Sequence, residues 1–519
     1  MKEPAEKLRS TLAIHPPLVA AFPVLSLFST NLSLVPPLQL WRPLAAAVAI
    51  AMVAWVVFAA LFRSWERGAL AASASSVVLL AYEPVAAHFP TYDAGIRDSL
   101  IAWSIGFLAV VLAASRLTRL TRALNVLAAM LVVVTLGRAL IGYTQGPPRP
   151  KDAPAIATDR PRPDIFYILV DGYGRTDALR RALGYDNAWF VDALRERGFF
   201  VADQSRANYV QTELSLASSL NMAFVQDLLP SADPGSLNRQ PLADLIAQSR
   251  VARQARQLGY SIVTVGTGFP PVRLTDSDLH VEGASGLSLL ESALVTRTPF
   301  RLLDRESESQ FATRRKQINY AFAGLESLAG KTSGPRLVIA HILAPHPPFV
   351  FGPNGEPRRP KGLYSFFDGS DYMAMIGDRE SYRKGYADQA EYLNRRLLGV
   401  VDRLTSVPGR RPVIILQGDH GSKAGLDQND LAKTDLDEVV PILNAYLVPA
   451  SVRGNLSPKI TPVNSFRVVF AGLFGLDLPP LANRSWYSPY VRPYDFTDVT
   501  ERLGDAAPPG SATGPGRGP

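Results

Sequence analysis

The sequence predicts an N-terminal multi-span α-helical membrane domain followed by an α/β domain with a mostly parallel central sheet. Three observations carry this. Five long apolar stretches crowd into the first 145 of 519 residues. Beyond them, short β-branched runs alternate with helical patterns. A segment rich in proline and charge separates the two regions.

The apolar stretches run over about 17–36, 43–62, 68–86, 99–115 and 123–142, each near the roughly 20 residues a bilayer-spanning helix needs. Pro23 interrupts the first and Glu83 bounds the third. A single such stretch could be a buried core helix or, for the first, a signal peptide; five in succession do not fit that reading. Residues 1–145 are therefore read as a five-span transmembrane domain.

Alternate connections carry Lys2, Lys7 and Arg9, then Arg63 and Arg67, then Arg116, Arg119 and Arg122, against Arg42, Arg97 and Arg138 on the other side. Basic loops favour the cytoplasm, so the N-terminus is expected there. An odd number of spans then puts everything after residue 145 outside it. The expectation is a multi-pass protein of the cell (inner) membrane with an extracytoplasmic, periplasmic second domain.

Residues 1–145 hold eleven basic and six acidic side chains, +5 of the formal net charge of +8. The remaining +3 is too little for nucleic-acid binding, and no basic stripe interleaved with aromatics is present. The absence of cysteine excludes disulfides and thiol chemistry and leaves any metal to oxygen and nitrogen ligands.

Residues 146–163, GPPRPKDAPAIATDRPRP, read as an extended linker. The second domain is expected over 164–503, and the tail 504–519, which has nothing to bury, as disordered. Within that domain IFYILV (165–170), SIVTVG (261–266), RLVIAH (336–341), PVIILQ (412–417) and ILNAYLV (442–448) suit strands buried on both faces. Helical patterns such as TDALRRAL and ADQAEYLNRRLLGVVDRL between them complete an α/β sandwich.

Ligands collect at the carboxyl ends of strands in open α/β sheets, so the residues just after these runs are the first candidates. Asp171 follows the first strand in ILVDGYGR, with glycines that let the chain turn; a helix cap is the plainer role for such an aspartate. Asp419 and His420 in QGDHGS offer a carboxylate and an imidazole side by side to one divalent ion. His341 and His346 in HILAPHPPF fit a substrate-phosphate contact or a second metal, or two ordinary loop histidines. Thr212, in SRANYVQTELSLASSLNM, stands where a polar loop meets a small-residue helix whose N-terminus attracts anions. It would need a metal or base to act as a nucleophile, and could instead cap the helix.

In this order, DG after the first strand, NYVQT opening a helix, HILAPHPPF and GDHG resemble membrane-bound sulfatase-like enzymes of the alkaline-phosphatase superfamily. Lipoteichoic acid synthase and the phosphoglycerol and phosphoethanolamine transferases belong there. The resemblance covers nearly the whole chain and implies an α/β alkaline-phosphatase-like catalytic domain. It also implies Thr212 as nucleophile and metal ligand, Asp171, Asp419 and His420 as the other ligands of a Zn or Mn ion, and His341 and His346 as substrate-phosphate contacts. The implied activity moves a phosphoryl-ester head group, of phosphoglycerol or phosphoethanolamine type, from phospholipid to a glycan or lipid-linked acceptor through a phosphothreonine.

Two departures shape the rivals. Asp171 stands where the transferases usually carry Glu, which leaves a phosphodiester or phosphomonoester hydrolase open. The lack of cysteine sets the chain apart from phosphoethanolamine transferases with disulfides. A true sulfatase is disfavoured because Thr212 lies in TELSL rather than in a C/S-x-P-x-R context. Asp276 and His280 in TDSDLH have the Asp-x-x-x-His spacing of a second metal pair. A catalytically silent membrane sensor or assembly module would keep the fold without the chemistry. A transporter is disfavoured by the scarcity of ionisable residues in the apolar stretches.

Overall fold

The computed structural model describes residues 12–30, 40–86, 88, 93–144, 159–266, 274, 277–281, 289–302, 309–330, 334–360, 364–409 and 411–504. Most of the linker read over 146–163 and the tail from 505 onward lie outside these. The chain divides into two compact units: Met1–Pro148 with Gly286–Ser307, and Arg149–Ser285 with Glu308–Pro519.

The first unit is helical: α1 (His15–Ser29), α2 (Trp41–Phe62), α3 (Trp65–Leu79), α4 (Tyr82–Ala86), α5 (Asp93–Ala114) and α6 (Thr121–Thr144). Among the described residues three helical stretches are long and apolar enough to cross a membrane: Trp41–Phe62, Arg97–Ala114 and Thr118–Ile141. The other two expected spans correspond to shorter helices, α1 and α3, of 15 residues each. Pro84 supplies a reason for the second: it sits in the first turn of α4, where a missing N–H costs nothing, and the stretch 68–86 becomes two helices. Residues 31–36 of the first predicted stretch are not among those described.

Some polar groups in this unit find partners on other helices. The side-chain oxygen of Asn125 on α6 accepts from the backbone N–H groups of Ile14 and His15 at 2.9 and 3.0 Å, capping α1 from another helix. The short helix Leu289–Thr296, far along the chain, also belongs here: Leu290 clusters with Val24 and Phe28, and Glu291 pairs with Arg42 at 3.3 Å.

The second unit is built on a seven-stranded sheet in the order β2-β7-β6-β1-β5-β3-β4. Its strands are β1 (Ile165–Val170), β2 (Phe200–Val201), β3 (Ser261–Val265), β4 (Leu279–Val281), β5 (Arg336–Ile342), β6 (Val413–Gly418) and β7 (Asn444–Leu447). β1 pairs parallel with both β5 and β6, and β3 parallel with β5 and β4; β7 runs antiparallel to β6 and β2. The sheet is thus mostly parallel, as expected, with an antiparallel edge.

Alternation along β1 explains the layers. Phe166, Ile168 and Val170 join a core with the helices α9 (Ser309–Ser327) and α10 (Arg379–Thr405), through residues such as Phe322, Leu325, Leu393 and Val400. Ile165, Tyr167 and Leu169 join the opposite core, with α7 (Thr212–Ser219), α8 (Gln240–Ala247) and α11 (Pro462–Phe474), through Leu214, Ile246, Phe466 and Val469. Both faces of β1 are dry, so its continuous apolar run is what a central parallel strand requires.

Candidate metal centre and nucleophile

The carboxyl ends of β1 and β6 lie side by side, Val170 opposite Gly418. The next residues, Asp171 and Asp419 with His420, are therefore delivered to one place and are wholly buried. Gly172 makes the turn after β1 with φ +74°, a conformation glycine adopts freely, and its N–H donates to Asp419 Oδ1 at 2.9 Å. Gly418 must be small because a Cβ there would fall 2.4 Å from the Tyr173 carbonyl oxygen.

Each carboxylate has one oxygen engaged and one left over. Asp171 Oδ2 accepts from His341 Nε2 at 3.0 Å, while Asp171 Oδ1 has no hydrogen-bond partner. Asp419 Oδ1 takes the Gly172 N–H, while Asp419 Oδ2 has none. Both orphaned oxygens face His420 Nε2, at 3.6 Å from Asp171 Oδ1 and 3.3 Å from Asp419 Oδ2. The ring's other nitrogen, Nδ1, lies 2.9 Å from the Gly421 carbonyl oxygen, which can only accept, so Nε2 is left with its lone pair inward.

Burial lowers the pKa of His420 against the opposing pull of Asp419. The imidazole is therefore neutral, and its short approaches to the two carboxylates are not ion pairs. For Asp171, burial alone would raise the pKa, but His346 and the hydrogen bond from His341 outweigh it and hold the carboxyl below the usual carboxylate range. Two buried carboxylate oxygens without hydrogen bonds and an imidazole lone pair form an arrangement that a divalent cation satisfies. Asp171, Asp419 and His420 offer ligand atoms within 4.8 Å of one another.

Thr212 completes the group. It is the first residue of α7 and not its N-cap; the extended Gln211 takes that place. The Thr212 hydroxyl is thereby free of capping and lies 3.1 Å from His420 Nε2. Ser215, one turn on, donates to the Asp419 carbonyl oxygen at 2.8 Å and ties the helix to the β6 loop.

The two histidines at the end of β5 and just beyond it have different surroundings. His341 Nε2 lies against Asp171 Oδ2 and orients that carboxylate. His346 is buried beside the cluster: its N–H donates to the Asp171 carbonyl oxygen at 3.2 Å, and its Nδ1 is 2.6 Å from the Pro347 carbonyl oxygen. His346 Nε2 stands 3.5 Å from Asp368 Oδ2, and Asp368 Oδ1 accepts from the Tyr382 hydroxyl at 2.7 Å. Sequence reading missed Asp368, which looks like an ordinary Asp-Gly turn. It also missed Lys423, three residues after His420, buried and close enough to disfavour protonation of that imidazole. The signal for Lys423 was its place in the GDHG loop.

His280 is elsewhere: it lies on β4 at the sheet edge and contacts the Thr264 hydroxyl at 2.7 Å. Asp276 is outside the described residues. A cavity of about 590 Å³ opens at the opposite, amino end of the strands, lined by residues including Arg162, Asp164 and Arg336, away from the ligand atoms.

No family model and no curated protein matches the chain. The chain is similar to solved phosphoethanolamine transferase structures. The integral membrane protein lipooligosaccharide phosphoethanolamine transferase A from Neisseria meningitidis aligns over 90% of this chain and 95% of that one, at 12% identity and TM-score 0.41. The C-terminal periplasmic domain of EptC from Escherichia coli, solved as a zinc complex, aligns over 68% of this chain and 98% of that one, at 12% identity and TM-score 0.45. Phosphonate monoester hydrolase of Agrobacterium radiobacter aligns over 63% and 80%, at 14% identity and TM-score 0.41.

Proposed function

We propose that this chain is a membrane-anchored enzyme of the alkaline-phosphatase and sulfatase superfamily. In this reading its extracytoplasmic α/β domain transfers a phosphoryl-ester head group from phospholipid to a glycan or lipid-linked acceptor. One observation carries the reading: Thr212 Oγ1 converges with His420 Nε2 and the two orphaned carboxylate oxygens of Asp171 and Asp419.

Those four side chains would hold a divalent ion, Zn or Mn, which would lower the pKa of a hydroxyl and neutralise charge on phosphate oxygens. His341 keeps Asp171 oriented, and Gly172 does the same for Asp419. Thr212 Oγ1 gives up its proton and bonds to phosphorus as the bond from phosphorus to the lipid alcohol breaks. The departing alkoxide takes up a proton. His346, beside the cluster, offsets negative charge on the phosphate. An acceptor hydroxyl then attacks the phosphothreonine, loses its proton, and restores Thr212. Membrane-spanning helices tethering the domain to a bilayer would raise the local concentration of head groups.

Hydrolysis of phosphodiesters or phosphomonoesters uses the same residues with water as acceptor, and Asp171 in place of Glu favours that variant. A silent sensor or assembly module is the reading opposed by the presence of all four candidate ligands. The test is turnover of fluorescent phospholipids by the full-length protein in mixed micelles, with Mn or Zn and with and without an alcohol acceptor. Metal-dependent transfer to the alcohol supports the transferase, and free head group without acceptor supports the hydrolase. Turnover equal in wild type and Thr212→Ala would sink both.

A further inference from the structure

Thr212 opens its helix without a side-chain cap from Gln211, so something else must hold the start of α7 against the ligand cluster. The contacts of its two neighbours show what does. Arg239 Nη2 donates to Gln211 Oε1 at 2.7 Å, and Arg239 Nη1 pairs with the Glu213 carboxylate. One guanidinium thus grips the residues on both sides of Thr212.

Arg239 is itself fixed. Its Nη2 donates to the Tyr490 carbonyl oxygen at 2.6 Å, and the guanidinium carbon lies 4.2 Å from the centre of the Tyr490 ring. The far end of Gln211 closes the circuit: its Nε2 donates to the Ser488 carbonyl oxygen at 2.9 Å and to the Ser488 hydroxyl at 3.0 Å. Arg239 and Glu213 are both mostly buried, with side chains 19% and 15% exposed, so salt screens their pairing incompletely.

The pairing has an electrostatic consequence. A carboxylate in the first turn suits the helix dipole, but Glu213 adjoins the hydroxyl that must meet an anionic phosphate ester. Unpaired, it would repel the substrate. We propose that Arg239 is a positioning residue for the Thr212 reaction: it holds the start of α7 at the cluster and cancels the Glu213 charge along the path of the incoming phosphate. This inference rests on the reading of Thr212 as the nucleophile.

The test is a charge-restoration cycle in the full-length, metal-loaded protein, with bis(p-nitrophenyl) phosphate as substrate and inorganic phosphate binding by calorimetry as a second readout. Arg239→Gln exposes the Glu213 charge, and kcat/KM should fall about 30-fold or more, chiefly through KM, with phosphate binding weakened in parallel. Arg239→Gln with Glu213→Gln removes both charges and should recover most of the loss, to within about fivefold of wild type. Arg239→Lys keeps the charge without the fork and should fall between.

A double variant as impaired as the single, at a wild-type melting temperature, would overturn the charge argument. Wild-type KM and phosphate binding in Arg239→Gln would overturn it as well. Thr212→Ala separates the layers: if it retains turnover, the nucleophile reading fails and this inference with it. If it is inactive while Arg239→Gln is unchanged, only the inference fails.

Discussion

The helical unit and the α/β unit put similar apolar side chains to opposite use. Along α2, Val53 and Leu61 are 63% and 68% exposed, and the helix has few buried positions. Along β1 and β6 every residue is buried, and the strands share two cores with the helices on either face. An apolar helix surface left open is expensive in water and natural in lipid. The same contrast governs polar groups. In the helical unit the Asn125 side chain answers two orphan N–H groups at the start of α1. At the ends of β1 and β6 two buried carboxylate oxygens have no partner. Unsatisfied groups of that kind are where a fold keeps its chemistry.

The sharpest break in this contrast comes from the cluster. Thr212→Ala should lower turnover by about 10³-fold or more while leaving metal bound by the remaining three side chains. Asp419→Asn should lower both turnover and metal content, read by elemental analysis of the purified protein. Loss of turnover with full metal content in Asp419→Asn would remove that carboxylate from the ligand set.

A next effect, in stability, compares the two surroundings directly. Ile415, fully buried on β6, should cost about 2–5 kcal/mol when cut to Ala. Val53→Ala on α2 should cost under about 1 kcal/mol in detergent, because that side chain has little protein around it to lose. Thermal unfolding of the full chain measures both, and equal losses would contradict the contrast.

Glu438 gives a pH signature of comparable or smaller size. Burial pushes its pKa from 4.5 to about 7, against the opposing pull of the Ser422 hydroxyl, hydrogen-bonded to Oε1 at 2.8 Å, and of Arg379, whose Nη2 lies 3.6 Å from Oε2. The folded state therefore holds this proton to higher pH than the unfolded state. Its contribution to stability is fully present below about pH 4.5 and lost as pH rises through about 7. Glu438→Gln should match wild type near pH 4.5 and exceed it by about 3 kcal/mol near pH 8. A stabilisation that does not grow with pH would refute the assignment.

How much of this was legible depends on how far apart the partners lie. The β1 run IFYILV declared a doubly buried strand by continuity alone, whereas β2 has two residues and exists through its pairing with Ala445 and Tyr446. ILNAYLV was readable as a strand, but its antiparallel direction follows from β6 and not from composition. Asp171, Asp419 and His420 were readable because they follow strands directly. Arg239 was not, since its grip on Gln211 and Glu213 spans 28 and 26 residues of an irregular stretch. His341 was readable from its place at a strand end, but its contact with Asp171 joins residues 170 apart and no local pattern records it. The helix Leu289–Thr296, inside the predicted catalytic span 164–503, groups with the first unit because Leu290 and Glu291 find their partners there, which no local pattern records.

The most direct test of the central claim is a search for the covalent intermediate. Full-length, Mn- or Zn-loaded protein is mixed with phospholipid, quenched in acid and digested, and the peptide containing Thr212 is weighed by mass spectrometry. The expected result is a phosphoryl-ester adduct on Thr212 that disappears when metal is chelated. Steady turnover with that peptide unmodified, or with the adduct on another residue, would contradict it.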